Sequence, residues 1–453
     1  MQALARLMLA TGCDIAGSDR AFDQRQTPEK FDKLVSEGIR LYPQDGSGVT
    51  DDIAAVIVSS AVEDHIPDIQ QAKKLDVPIR KRAEVLAAHF NERRGIAVAG
   101  TSGKTTITGM IGWILHYAEL APTIVNGGLM RNDFGAGADN NFVAGDSDWF
   151  VTETDESDGS IDDFAPEIAV LSNIARDHHE LEALEDYFAR FARRTNGAVV
   201  LNADDAALMA FADYVKSPVW RYGIESGEAD ITARDIDLSP AGSTFTLVET
   251  SSDTAVNVDL NVPGRHNISN ALAAVAAARC AGVDWEVAAA ALANFAGIAR
   301  RLEKIGEAGG VTVYDDFAHN PDKIAASLAT LKQTGARLHV IFQPHGFTPM
   351  AMMREELVAS FVEGLSYTDR VYLPAIYYAG GTASARITSR DIAGDLQDRG
   401  VKAKAFDTRD TIVPALIDNA RPGDIVAVMG ARDDSLSAYA RDISKALGSK
   451  APA

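Results

Sequence analysis

The sequence predicts an α/β protein of three domains in series, with mostly parallel sheets. Three observations carry this. At 453 residues the chain is too long for one core, because domains run roughly 100–200 residues. Short β-branched runs alternate with helical periodicity along most of its length, the pattern of βαβ units. The stretch GIAVAGTSGKTTITGM (95–110) sets an apolar strand, a glycine-rich turn and a helical pattern end to end.

At the start, ALARLML places Ala3, Leu4, Leu7 and Met8 at helical spacing, and Gly12 ends the helix. CDIAGSD reads as a short strand finishing in a turn. AAVIVSSAV (54–62) is a continuous apolar run expected to be buried on both faces of a parallel sheet, followed by helical IPDIQQAKKL and the strand VPIRK. A doubly wound nucleotide domain opens on a strand and a glycine-rich turn. Here a helix begins at Met1, so an opening unit on the order of ten residues is expected upstream. HFNERRG (89–95) is polar and reads as a linker, which sets domains at 1–90, 91–296 and 297–453. In the second domain GIAVAG, WFVTET, IAVLSNI and GAVVLNA read as strands, with helices after Lys104 and over 184–194 and 268–281. Alternation of polar and apolar residues over 230–262 predicts an antiparallel patch. After GIARRLEKIG, the strands VTVYDD, RLHVIFQ, DRVYLPA and DIVAVMG alternate with helical segments, and only the tail SKAPA is of low complexity.

Charge narrows the functions available. Forty-three Lys+Arg against 64 Asp+Glu give a net charge of -21, which opposes a general grip on nucleic acid phosphates. Any anionic ligand must be held by local features. No apolar run suits a membrane span and no cleavable leader is evident, so the chain reads as cytoplasmic, a monomer or homodimer. Cys13 and Cys280, the two cysteines, are expected to be buried small apolar residues.

The turn at 100–106 departs from the general phosphate-loop pattern G-x-x-x-x-G-K-[ST], because Val98 stands where its first glycine belongs. Its chemistry is nonetheless that of a phosphate loop. Backbone N–H groups of Gly100, Thr101, Ser102, Gly103 and Thr106 face the ligand, Lys104 adds a point charge, and the Thr105 hydroxyl suits Mg²⁺.

The form G-T-x-G-K-T-T after a strand resembles that of the Mur ligase family, and the resemblance continues in order over 100–320. It implies a first domain of Rossmann type that binds UDP, a central ATP-binding domain and a third domain that closes over ATP. WFVTETDESDGS then supplies a magnesium ligand at Glu153, and NIARDHHELEAL supplies one for a second magnesium at His178. PGRHNISNALAA resembles the helix start that holds adenine, pointing to His266, Asn267 and Asn270. GIARRLEKIG places Arg301 at the γ-phosphate; VYDDFAHNPDKI places Asp316 at the ribose and His319 at the reacting centre. Lys104, His178, Arg301 and His319 are the expected catalytic residues. Substrate contacts are expected at Ser18, Asp19, Ser59, Ser60, Asn126, Gly127, Gly128, Asp155, Ser157 and His345. Taken singly, Glu153 and Asp155 have a second reading as a solvated turn, His178 as an N-capping or surface histidine and Arg301 as an ion-pair partner.

The activity implied is ATP-dependent joining of a carboxylate to an amine through an acyl phosphate, with two Mg²⁺ ions. Some members carry a carbamoylated lysine shortly after the D-H motif, but this chain has no lysine between Lys104 and Lys216. That favours the branch adding the first amino acid to UDP-N-acetylmuramate, or the one reattaching a recycled peptide to it. FQPHGFTP (342–349) resembles the F-Q-P-H-R-Y-T-R of the alanine-adding branch, with Gly346 and Pro349 in place of two arginines expected to seat the amine's carboxylate. Alternatives are a binding protein without catalysis, or an amide ligase acting on another polymer.

Overall fold

A ten-stranded sheet forms the core of the larger part of the protein. From edge to edge it runs Thr254–Leu260, Gly242–Glu249, Ile231–Ser239, Val219–Gly223, Ala198–Asn202, Ile168–Leu171, Arg94–Ala99, Trp149–Glu153, Thr123–Met130 and Asn140–Val143. The computed structural model describes residues 1–25, 27–59, 62–135, 140–156, 159–174, 181–252, 254–378 and 387–449. The chain divides into two compact units: Met1–Asp235 with Phe245–Val258 and Ser269–Ala296, and Ile236–Thr244 with Asp259–Ile268 and Gly297–Ala453.

In the first unit, Arg94–Ala99 lies between two parallel neighbours, pairing Val98 with Glu153 on one side and with Val170 on the other. Gly95 to Ala99 are all buried, which explains an apolar run without alternation. The N-terminal segment carries two small parallel ladders, Ala16–Gly17 with Arg40–Leu41 and Val56–Val58 with Ile79–Lys81.

Several expectations need correcting. Val56, Ile57 and Val58 are half-buried rather than buried on both faces, because their ladder has two strands. HFNERRG is no exposed linker: His89–Asn91 finish the helix Arg82–Asn91, and Phe90 is fully buried. Its ring packs edge-on against Phe150 and Phe164, with centroids 5.6 and 5.3 Å away. A side chain at Gly95 would strike it, with a Cβ 2.0 Å from Phe90 Cζ. Cys13 is exposed and Cys280 half-buried, the first because it follows the turn at Gly12 that ends the opening helix. Thr123–Met130 is a strand that sequence patterning does not show, since Gly127 and Gly128 interrupt it.

The second unit is built on a six-stranded sheet ordered Glu303–Ala308, Val311–Asp316, Ile425–Gly430, Leu338–Gln343, Arg370–Leu373 and Lys402–Ala405. The first two strands pair antiparallel and the rest parallel. Its strand order reverses between Val311–Asp316 and Leu338–Gln343, with Ile425–Gly430 between them. The carboxyl ends of such strands are where open α/β sheets bind ligands. Among the described residues no helix is long and apolar enough to cross a membrane.

Candidate active site

The first unit builds its site at the carboxyl end of Arg94–Ala99. Leaving the strand, the chain takes positive φ at Gly100 (127°) and at Gly103 (86°), and the helix Lys104–Tyr117 follows. Glycine is required at both for space as well as conformation. A Cβ on Gly100 would sit 2.1 Å from Ser172 Oγ, and one on Gly103 would sit 2.6 Å from Asn270 Oδ1. The loop is braced from the next strand: Ser102 N donates to Asn173 Oδ1 (2.9 Å), Thr101 N donates to Asn173 O (3.1 Å), and Ser172 Oγ donates to Ser102 O (2.6 Å).

Lys104 and Thr105 open the helix. Lys104 Nζ donates to Gly100 O (2.5 Å) and to both carboxylate oxygens of Glu156 (3.0 and 2.9 Å). Thr105 Oγ1 donates to Glu153 Oε2 at 2.8 Å. Thr101 and Thr106 are buried at the loop and in the helix's first turn. Asn126 Nδ2 donates to Thr105 O (3.2 Å), while its buried Oδ1 has no partner among the described residues. Glu153 Oε1 fills the space a side chain at Gly127 would need: a Cβ there would be 1.7 Å away. Gly127 and Gly128 are exposed and half-buried in turn. Asp155 holds the following turn through its carbonyl, which accepts from Ser160 Oγ and Ile161 N at 3.2 Å each.

These features fit a nucleotide's phosphates and a divalent cation. The loop offers a side-chain-free cradle at Gly100 and Gly103, a cationic Lys104, and a hydroxyl and carboxylate held together at Thr105 and Glu153. No group of three or more His, Cys, Asp or Glu suited to a metal occurs among the described residues. His178, Ser157 and Ser60, expected at this site and at the substrate end, lie outside them.

The second unit gathers Arg301, Asp316, His319 and His345 at its strand ends. The Arg301 guanidinium lies over the Phe317 ring, 4.6 Å from its centroid. Asp316 is buried, accepting from Ser327 Oγ and from Leu302 N (3.3 Å), and burial raises its carboxyl above the usual range. His319 Nδ1 lies 2.8 Å from Phe317 O, and its ring is 5.5 Å from that of His345. Burial, with Lys323 nearby, pushes His319 down to about 3; burial, with Arg432, pushes His345 down to about 4. Both rings are therefore neutral at pH 7. His345 Nδ1 is buried without a partner among the described residues. Gly346 takes φ 70° and ψ 124°. His266 is exposed near the start of the helix Arg265–Cys280, and Asn267 Nδ2 donates to Pro263 O at 2.7 Å.

The remaining expected residues sit on the small ladders. Ser18 donates to the buried Asp68, whose other oxygen accepts from Gly46 N (2.7 Å). Asp19 caps the helix Arg20–Asp23 through Ala21 N (2.8 Å), and Ser59 is half-buried beyond Val56–Val58. No hydrogen bond joins these three to the phosphate loop among the described residues. Sequence reasoning missed Glu156, Ser172, Asn173 and Asp68 as residues of the sites. A signal existed for two of them, because Ser172 and Asn173 directly follow an apolar strand; Glu156 is one acid among several in its run.

Comparison with known proteins agrees with this geometry. Residues 1–94 match the Mur ligase family catalytic domain, 98–278 the Mur ligase middle domain, and 300–432 the Mur ligase glutamate ligase domain. The UDP-N-acetylmuramate--L-alanine ligase of Thermobifida fusca is 37% identical over 450 residues, which cover 96% of this chain and 92% of that protein. The one from Solibacter usitatus is 34% identical over 439 residues, covering 95% and 90%. Among solved structures, the UDP-N-acetylmuramate-alanine ligase of Thermotoga maritima aligns with a TM-score of 0.79 at 26% identity, over 98% of this chain and 96% of that one. A murein peptide ligase from Psychrobacter arcticus aligns with 0.74 at 25% identity, over 100% and 97%. Matched from residue 1 to residue 432 in three consecutive segments, and carrying the glycine cradle, Lys104 and the Thr105–Glu153 pair where a nucleotide's phosphates would lie, the chain belongs to the Mur ligase family.

Proposed function

We propose that this protein is a cytoplasmic ligase that uses ATP to join the carboxylate of UDP-N-acetylmuramate to L-alanine or a related amine, releasing ADP and phosphate. What carries the reading is near full-length likeness to UDP-N-acetylmuramate--L-alanine ligases in a chain whose phosphate loop keeps its cradle and cation. The domains follow as 1–90 for the UDP-sugar, 91–296 for ATP and 297–453 for closure and the amine.

A carboxylate is a poor electrophile in water. In the proposed reaction its oxygen attacks the γ-phosphorus and ADP leaves, giving an acyl phosphate. The neutral amine nitrogen then attacks the carbonyl carbon, phosphate leaves with the transferred oxygen, and the nitrogen gives up a proton. Several negative charges meet in the first step, so the protein's part is to position and offset charge rather than to form covalent bonds. Lys104 and Arg301 serve this as fixed cations. Thr105 and Glu153 would hold Mg²⁺, with His178 for a second ion, and the metal's contribution is to offset phosphate charge. His266, Asn267, Asn270 and Asp316 would bind the nucleoside. His319 and His345, neutral and half-buried, would line the amine's approach without adding charge. Ser18, Asp19, Ser59, Ser60, Asn126, Gly127, Gly128, Asp155 and Ser157 remain proposed substrate contacts.

The test is phosphate release from ATP with UDP-N-acetylmuramate and a panel of L-amino acids and short peptides. L-Alanine is expected to lead. Preference for a peptide would instead support the recycling reaction, which the glycine at Gly346 and proline at Pro349 allow by removing two cations. No release with any UDP-sugar would refute both.

A further inference from the structure

We infer that Glu156 is a built-in stand-in for phosphate, a positioning residue that occupies Lys104 until a nucleotide displaces it. The inference rests on reading 100–106 as an ATP site. A lysine ammonium has three hydrogens to donate, and the three acceptors around Lys104 use them all: Gly100 O at 2.5 Å and the two Glu156 oxygens at 3.0 and 2.9 Å. The side chain thus folds back over the loop that precedes it. Glu156 is 5% exposed, and Lys104 is the one cation it meets among the described residues. Its backbone is fixed, because Gly159 N donates to Glu156 O at 3.2 Å and Ile161 N to the adjacent Asp155 O.

A phosphate oxygen reaching Lys104 must take a hydrogen from one of these acceptors. The carboxylate is the closest chemical match to phosphate, an anion with two oxygens directed at one ammonium. Displacing it leaves a buried carboxylate that has lost its cation, which is costly, and that cost is subtracted from nucleotide affinity. Glu156 therefore keeps the loop ordered and neutral when empty, and weakens the binding of a nucleotide that brings no cation of its own. A divalent cation arriving with the triphosphate restores the balance.

Calorimetric titration of ADP into the full chain, with divalent cations chelated, reads this effect. Glu156→Gln keeps the side chain's size and removes its charge, and ADP is expected to bind about tenfold tighter than to the wild type, the factor one charge-assisted hydrogen bond commands. Glu156→Asp keeps the charge and is expected to stay within about threefold of the wild type. With saturating Mg²⁺ present the gain in ADP affinity of Glu156→Gln is expected to shrink to within about threefold, because the cation offsets the stranded carboxylate. Equal or weaker ADP binding by Glu156→Gln, in a protein with wild-type circular dichroism, overturns the inference. If that variant does not fold, Glu156→Ser removes the same charge and is judged by the same outcome. A wild-type chain that binds neither ADP nor ATP would overturn the nucleotide-site reading itself.

Discussion

Replacing Gly127 with alanine tests the Thr105–Glu153 pair with one methyl group. The new Cβ would lie 1.7 Å from Glu153 Oε1, 2.9 Å from its Cδ and 3.5 Å from Oε2. A carbon and an oxygen not bonded to each other settle at about 3.3 Å or more, so the carboxylate must retreat by roughly 1.5 Å. The 2.8 Å hydrogen bond from Thr105 to Oε2 cannot survive a shift of that size. A hydrogen bond to a charged group is worth about 1.5–3 kcal/mol, or roughly 10–150-fold. The fold should not suffer, because the displaced group is the end of a side chain and Gly127 has ordinary strand φ. Gly127→Ala is therefore expected to unfold within about 1 kcal/mol of the wild type while the Mg²⁺ concentration for half-maximal phosphate release rises about tenfold or more. Leu129→Ala, an exposed side chain on the same strand, is the control and should change neither. A Gly127→Ala enzyme with wild-type Mg²⁺ dependence would refute the assignment of Glu153.

Other outcomes follow from the same geometry. Lys104→Ala should abolish turnover and also lower stability by roughly 3 kcal/mol, because it strands a buried carboxylate at Glu156; urea unfolding of Lys104→Ala with and without Glu156→Gln should show most of that loss restored in the double variant. His319 and His345 titrate at about 3 and about 4 in the folded protein against 6.5 unfolded. The unfolded chain therefore takes up their protons first, and the stability they allow is whole above pH 6.5 and lost as pH falls toward those values. Each ring accounts for up to about 1.4 kcal/mol per pH unit in that window, and a His319→Gln/His345→Gln variant should show a flatter acid limb of stability in urea titrations at stepped pH. Gly346→Arg should cost about 1–3 kcal/mol through its φ of 70°, read as a lower thermal midpoint; an unchanged midpoint would refute strain at that position.

Much of the fold was legible because buried parallel strands advertise themselves. Residues 95–99, Ile168–Leu171 and Ile425–Gly430 are unbroken apolar runs, and the structure buries every residue in them. Where local pattern misled, a tertiary neighbour was the cause. His89–Asn91 look like a linker until Phe90 is seen between Phe150 and Phe164, residues some sixty to seventy positions away. Gly127 breaks the pattern of Thr123–Met130 because Glu153 needs the room, a requirement that composition cannot express. The strand-to-helix turn proposed to hold phosphate was readable as a turn from Gly100 and Gly103, whose positive φ the sequence pattern anticipates. Glu156 was not, since an acidic residue in an acidic run has no distinguishing mark until its partner is known.

The brace on the phosphate loop bears on when the protein becomes competent during folding. Ser102 is tied to Asn173 across 71 residues and Lys104 to Glu156 across 52, so the loop's shape depends on contacts that close long stretches of chain. Such closures carry an entropic cost that local helices do not, and they form late. A chain released before Ile168–Leu171 has joined Arg94–Ala99 would hold the helix after the loop but not the loop's geometry. Nucleotide capture thus reports that the central strands are in register, and ATP in the surrounding solution would favour molecules that have finished assembling over those that have not.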